Sequence, residues 1–483
     1  SAAVTDMNGH FTLKVQNPKN KLRFTYMGYK TVLQEIGKRA VFDIMMEENS
    51  KVMKEVVVEA RPKIATGGLE IPEREQSFAQ QTIKMTEFEG LSFTSADEAL
   101  QGRIAGLDII ASSGNLGSGT TMRLRGVSTI MGNAEPLIVV DDNIFETNAN
   151  DDIDYTSMTD ERFAELLSIN PEDIESITVL KDAAATAIYG SKAANGVVVV
   201  ETKAPAPGTL RLTYNGNLNL SFADLSDYNL MNAREKLAFE KLAGRYGPLD
   251  ANGEIIDEGY QSTYYQRLAE VEKGVDSYWL NEPLRFATSH SHDLFIEGGD
   301  SRMRYGLGVN YNRTAGVMKG SDNNVLNGNV RLIYRYKNLA FTDYVNFDYS
   351  VSDREKVAFS KFSQANPYYR KVNDYGEPEA VLEKYKLMSG DEYVFNPLYD
   401  MSLNSSNRTR NFGFRNNFEV DWRVIEPLRL RARISVSKSV SKQEVFQSPK
   451  ASVFYGKSEK EKGSYSETNG DVLSYDGDLN ATF

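Results

Sequence analysis

From about residue 206 onward, apolar and polar side chains alternate over long stretches. Across 338–353, Leu339, Phe341, Val345, Phe347, Tyr349 and Val351 share one face, with Asp343 breaking it. Thr342, Tyr344, Asn346, Asp348 and Ser350 share the other. A period of two is the signature of a strand with two different surroundings. Residues 427–440 repeat it: Leu428, Leu430, Ala432, Ile434 and Val436 against Arg429, Arg431, Arg433, Ser435 and Ser437. Stretches at 210–222, 303–312, 326–336 and 412–422 follow more weakly. Such runs exceed the roughly 5–6 residues common in soluble sheets. They reach the ~9–11 that a tilted strand needs to cross a bilayer. Alternation alone also fits a soluble sandwich. Strand length, aromatics near strand ends (Tyr334, Tyr336, Trp422) and the arginine-rich second face favour a transmembrane barrel with a wet interior. About seven to nine such strands are expected in 206–483.

The preceding residues have a different texture. Residues 1–50 carry short alternating stretches at 11–15, 21–29 and 40–47, with the turn signal Asn8-Gly9 before the first. They predict a partial β-sandwich. Residues 51–81 hold the β-prone run Glu55-Val56-Val57-Val58-Glu59, followed by a polar, Gly- and Pro-broken linker. Residues 82–205 predict a mixed α/β unit. A helix is expected over 95–106, capped by Ser95 with Glu98 and stopped by Gly106. Strands are expected at 107–113, 121–127, 136–142, 176–182 and 196–203, the last buried on both faces, with a short helix at Ala183–Tyr189.

Composition narrows the function. The 483 residues include 26 Tyr and 23 Phe but only 2 Trp, and an interfacial aromatic girdle would account for that tyrosine excess. The formal charge of −12 argues against binding a nucleic-acid backbone. The absence of cysteine excludes disulfides, iron–sulfur clusters and thiolate chemistry. His10, His290 and His292 are the only histidines. His290 and His292 would share a strand face, which reads as barrel wall rather than a metal site. The loop Gly114–Gly119 precedes a strand, not a helix, so it is no phosphate cradle. Asp151, Asp152 and Asp154 lack the spacing of a calcium loop. No catalytic residue, metal site or cofactor is expected, and the chain does not read as an enzyme.

Several motifs resemble one family. Ala99–Leu107 (ALQGRIAGL), Met122–Val127 (MRLRGV) and Pro136–Asp141 (PLIVVD) match the plug domain of SusC/RagA-type TonB-dependent outer-membrane transporters of Bacteroidetes. The runs Asn170–Ala183 (NPEDIESITVLKDA) and Ala187–Val198 (AIYGSKAANGVV) are similar to the family signature nearly position for position. Two departures occur: Asp141-Asp142-Asn143-Ile144 replaces Asp-Gly-Val-Pro, and Lys192-Ala193 replaces Arg-Gly. Thr5–Phe11 and Phe24–Tyr29 resemble the carboxypeptidase-regulatory-like sandwich that precedes the plug in this family.

The resemblance implies a mainly β architecture. A partial sandwich occupies 1–50, a TonB-box region and linker 51–81, and the plug 82–205. The first strands of a 22-stranded barrel fill 206–483, so the sequence reads as the N-terminal part of a longer chain. Glu55, Val56, Val57, Val58 and Glu59 stand at the TonB box. The implied activity is TonB-dependent import of oligosaccharides, with a peptide importer or a non-importing signalling or adhesion receptor as alternatives. The implied partners are a SusD-like lipoprotein, TonB with ExbB and ExbD, outer-membrane lipid and a sugar or peptide ligand. A dimer of such SusC–SusD pairs is expected. The implied location is the outer membrane, with the plug and N-terminal domain facing the periplasm. The acidic stretch 143–162 is the expected plug loop that meets ligand, through Asp151, Asp152 and Tyr155. Arg123 and Arg125 are expected as plug-to-wall ion partners.

Overall fold

The computed structural model describes residues 3, 5–6, 9–15, 21–25, 29, 31–46, 80–85, 100–111, 120–124, 136–141, 143–145, 173–181, 186, 189–190, 193–387 and 390–483. The chain forms two compact units. The first comprises residues 1–64 and 71–76; the second takes the rest.

In the first unit, β1 (Lys21–Phe24) pairs antiparallel with β2 (Val32–Glu35). Phe11 packs edge-on against Phe24 at 5.3 Å. Gly9 takes φ 82 in the expected turn, closed by the Asp6 amide donating to the His10 carbonyl at 2.9 Å. The expected strands at 11–15 and 40–47 are corrected: the described residues there join no ladder.

In the second unit, β3 (Gln80–Lys84), β4 (Leu107–Ala111), β5 (Thr120–Leu124), β6 (Leu137–Val140), β7 (Asn143–Phe145), β8 (Ile174–Leu180) and β9 (Val197–Thr202) build the α/β part. Five form a sheet in the order β3-β8-β9-β6-β7, and β4 pairs with β5 as a hairpin. The expected strands are present. The helix expected to Gly106 instead ends at Leu100; Gly102 and Gly106 both turn the chain at positive φ. Its Ser95–Glu98 cap lies outside the described residues. Strand β9 is buried on both sides, as its valine run requires. Val198 and Val200 pack with Ile104, Met122 and Ile177, while Val197 and Val199 pack with Leu180 and Tyr189.

The long alternating stretches form an eight-stranded antiparallel meander. Its strands are β10 (Gly208–Ser221), β11 (Ala287–Gly299), β12 (Met303–Ala315), β13 (Asp322–Tyr336), β14 (Leu339–Asp353), β17 (Ser406–Ile425), β18 (Leu428–Gln447) and β19 (Ser464–Thr482). A separate hairpin, β15 (Val381–Leu387) with β16 (Gly390–Phe395), lies in the connection between β14 and β17. Connections differ sharply at the two ends of the sheet. Residues 300–302, 337–338 and 426–427 make tight turns, whereas 222–286, 354–405 and 448–463 make long excursions. That asymmetry is the rule for outer-membrane barrels.

The cross-strand register assembles the apolar positions into continuous rows. Leu339 faces Trp422, Trp422 faces Leu430, and Tyr334 faces Phe341. Near the other end, His292 faces Tyr311, which continues through Leu326 and Tyr349 to Phe412. Trp422 and Phe412 stand ten positions apart on β17. At ~3.4 Å per residue and a tilt of about 42°, the apolar band is roughly 25 Å tall. Asp343, the break in this face, is held by Asn416, whose Nδ2 donates to its carboxylate at 2.7 Å. The opposite face carries the arginines of β18. Arg429 pairs with Asp421, Arg431 lies 3.8 Å from Glu419, and Arg433 pairs with Asp478.

Candidate functional site: a plug–wall latch and a loop platform

Strands β6 and β9 run parallel and end side by side. At that end Asp141 takes φ 47, and its carbonyl accepts from Asn143 Nδ2 at 2.9 Å, closing the tight β6–β7 turn. The motif's glycine is replaced at the next position, Asp142, outside the described residues; Asp141 is the aspartate the motif keeps. Aspartate tolerates the left-handed region better than most residues, so the hairpin survives. Asp141 also supplies a carboxylate. Thr202 donates to it twice, from the amide at 2.9 Å and from Oγ1 at 2.6 Å.

The wall completes the arrangement. Arg331 of β13 donates through Nη2 to Asp141 and to Thr202 Oγ1. Its Nη1 reaches the carbonyls of Thr202 and Lys203 at 3.3 and 3.4 Å. The guanidinium lies over the Tyr344 ring of β14 at 4.6 Å. The Arg331 side chain is only 10% exposed, so removing one partner of this pair would leave an uncompensated charge out of water, which costs far more than losing a surface ion pair. Two further bonds flank it. Asn329 Nδ2 donates to Asp173 at 2.7 Å, and the Ala206 amide donates to Glu297 of β11 at 2.7 Å. All these wall residues lie near the tight-turn ends of β11–β14. Their contact with the plug identifies the polar face as the inward one.

The expectation for the ion partners is corrected at Arg123. Arg123 makes no hydrogen bond or ion pair to the wall among the described residues, and Arg125 lies outside them. The cation comes from the wall and the carboxylate from the plug. A trace of this was present in the sequence, since Arg331 interrupts an otherwise aliphatic run, Val330-Arg331-Leu332-Ile333. Nothing in the sequence joined it to Asp141, 190 positions away. Glu55, Val56, Val57, Val58 and Glu59, and likewise Asp151, Asp152 and Tyr155, lie outside the described residues. His290 and His292 do share the outward wall face, as expected.

Edge strand β3 is the first plug strand after the linker. It pairs with β8 over only five residues, Gln80↔Leu180 to Lys84↔Ser176. Thr82 Oγ1 and Thr178 Oγ1 are 2.9 Å apart, and Lys181 Nζ bonds Gln81 Oε1 at 3.2 Å and the Ala105 carbonyl at 2.6 Å.

At the long-loop end, helices Ala233–Leu242 and Glu258–Glu272 of the first excursion pack against Phe362, Tyr368 and Tyr369 of another. Asn232 caps the first helix with a full capping box, and Asp257 caps the second. Between them Arg267 is buried with Glu240 and Glu383. Arg267 donates bidentately to Glu383 at 3.0 and 2.6 Å and to Tyr246 Oη at 2.7 Å. Tyr246 and Tyr368 in turn donate to Glu240. Burial opposes the charge on Arg267, but the Glu383 hydrogen bond, with Tyr369, Tyr368 and the Glu383 charge, outweighs it and holds the group protonated. Burial pushes the Tyr368 and Tyr369 hydroxyls up, so both remain donors. This network joins two excursions into one platform.

The sequence model of the TonB-dependent receptor plug domain matches residues 72–197, and that of a CarboxypepD_reg-like domain matches 1–58. TonB-dependent receptor SusC of Bacteroides thetaiotaomicron is 25% identical over 98% of this chain and 44% of its own length. TonB-dependent receptor P39 of Formosa agariphila is 29% identical over 69% of this chain and 28% of its own. The RagAB peptide importer in its closed-closed state shares the fold at a TM-score of 0.67, with 19% identity over 84% of this chain and 45% of its own. The chain thus spans less than half the length of these relatives, which are receptors and transporters rather than enzymes. The plug match, the CarboxypepD_reg-like match and the receptor relatives together make the chain similar to the SusC-type TonB-dependent receptors.

Proposed function

We propose that this receptor imports oligosaccharides across the outer membrane, powered by TonB. The observation that carries the sugar reading is the chemistry of the inward wall above the latch. Ser435, Ser437, Ser439 and Ser441 line β18, with Asn407, Thr409, Asn411 and Asn417 beside them on β17. Asn310 and Asn327 continue the surface on β12 and β13. Hydroxyls and amides prevail on this surface, with Arg415 and Asp348 the charged exceptions, and they match sugar hydroxyls, which donate and accept alike. The arginines below them are neutralised by Asp421, Glu419 and Asp478. A channel for peptides would need unpaired charge for termini and side chains. The RagAB importer is named for peptides, so peptide cargo is the competing reading.

Energy arrives through Glu55–Glu59, which would add as a strand to the TonB domain by backbone pairing. ExbB and ExbD would drive TonB, and a SusD-like lipoprotein would close over the loop platform, with two such pairs forming a dimer. Asp151, Asp152 and Tyr155 would meet cargo at the plug apex. Two cell assays test this reading. Deleting 55–59 is expected to abolish uptake of labelled oligosaccharide while leaving surface binding intact. Replacing Asp151, Asp152 and Tyr155 with Ala is expected to weaken that binding. Undiminished uptake by the deletion strain, or uptake of peptides alone by the wild type, overturns the proposal.

A further inference from the structure

The outward face above the loop-side aromatic row carries a feature that neither latch nor platform uses. One step beyond that row, the register places His290 opposite Arg313 and Arg313 opposite Asn324. Farther round the wall, the outward cations are neutralised. Arg408 bonds Asp353 at 2.7 Å, Arg410 bonds Glu444, Lys438 bonds Asp471, and Lys442 lies 3.2 Å from Glu467. Arg313 is exposed and has no carboxylate within 4.0 Å among the described residues.

Its surroundings are aromatic and nitrogen-rich. The rings of His290 and His292 lie 5.1 Å apart, and His290 and Tyr311 5.9 Å apart. His290 Nδ1 is buried and bonds no described group. Tyr214 leans over Gly216, its hydroxyl 2.9 Å from where a Cβ would stand, to reach His292 Nδ1 at 2.7 Å. Tyr311 Oη donates to Asn324 at 3.4 Å. At ~3.4 Å per residue and a tilt of about 42°, Arg313 stands roughly 5 Å above the aromatic row. That is the depth of lipid headgroups, where tyrosine rings and long cationic side chains concentrate.

We propose that Tyr214, His290, His292, Tyr311, Arg313 and Asn324 form a binding site for the phosphate of an outer-leaflet lipid. Arginine suits this role because its planar fork bonds phosphate oxygens bidentately. The aromatic rings below would pack the first methylenes of the acyl chains. The neighbouring cations already hold carboxylates, so the unneutralised Arg313 selects this position on the wall. The site requires that the wall span a bilayer, and not that the receptor import anything.

The test uses the full-length receptor from outer membranes, delipidated and placed in phosphatidylcholine nanodiscs with trace phosphorylated lipid A. Native mass spectrometry counts retained lipid A. Wild type is expected to retain one more molecule than Arg313→Gln/His290→Gln, with an affinity difference on the order of tenfold. Arg313→Lys should recover part of the loss, which separates charge from misfolding. Arg408→Gln, already paired in the wild type, should match wild type. Equal retention by wild type and the double variant overturns the proposal. So does equal retention of dephosphorylated lipid A by the wild type. Binding of millimolar inorganic phosphate by the wild type in the absence of lipid, and not by the double variant, would make this a free-anion site and also overturn the lipid assignment. Uptake assays are read separately, so failure of the import reading leaves this result intact.

Discussion

At the residue scale, Arg331 is the residue on which the latch depends. Removing it leaves the Asp141 carboxylate buried beside Thr202 without its cation, a loss of about 3 kcal/mol or more. Arg331→Met is therefore expected to raise amide hydrogen exchange in β6 and β9 on the order of 100-fold. Exchange in β17 and β18 should stay unchanged. A uniform rise across the wall would mean that the arginine supports the barrel rather than the plug. Glu270 gives a pH prediction. The Lys273 hydrogen bond, opposed by burial and reinforced by Arg370, holds its carboxyl below the ordinary value of 4.5. A depressed carboxyl stabilises the folded state above its ordinary value, and that contribution fades as pH falls further. Proteolytic nicking of the Arg370–Glu379 segment should accelerate below pH 4.5 in the wild type. In Glu270→Gln it should be fast at every pH.

At the element scale, the question is which piece of the plug yields to a pull from the linker. Strand β3 lies at the sheet edge and is the first described strand after residues 51–79. It has five ladder positions and a few side-chain bonds. Strands β6 and β9 are buried within the sheet and pinned by Arg331. Force applied before residue 80 should therefore unzip β3 from β8 first and leave the latched end in place. The chain has no native cysteine, so an engineered pair is unambiguous. Thr82→Cys with Thr178→Cys, whose hydroxyls lie 2.9 Å apart, should form a disulfide. Oxidised receptor should bind cargo normally but import none, and reduction should restore uptake. Normal uptake with the bond intact would place the yielding element elsewhere.

Elements also mark what the sequence could reveal. Alternation located the wall strands because the two wall faces meet opposite surroundings along their whole length. The valine run identified β9 because burial on both faces leaves no polar positions. Helix 95–106 was overread: its composition suits a helix, but Gly102 and Gly106 turn the backbone early. The extended pieces at 11–15 and 40–46 have strand composition, yet composition does not supply a pairing partner. The latch was invisible for a different reason. Asp141 lies in the turn after β6, Thr202 on β9 and Arg331 on β13, and only the packing of plug against wall brings their side chains together.

At the scale of the whole second unit, the two polar networks sit at opposite ends of the wall. The latch is near the tight turns, and the Arg267 network is among the long excursions. They share no residue, and strands β11–β14 run between them. Changes at distant sites without common partners add to within ~0.3–0.5 kcal/mol unless some two-state element links them. On the proposed import reading such a link is expected, because cargo held at the loop end would have to alter the plug before TonB acts. The comparison is between Arg331→Met, Arg267→Met and the double variant, each unfolded by denaturant with and without saturating oligosaccharide. Without cargo, the two losses should add within that margin. With cargo, an excess of 1 kcal/mol or more would mean that binding couples the platform to the latch through the wall. Additivity in both states would instead confine the signal to the plug apex, leaving the platform as a rigid mount. Loss of each network also has its own local signature, faster exchange in β6 and β9 for one and faster nicking of 354–405 for the other. A global collapse would therefore not be mistaken for coupling.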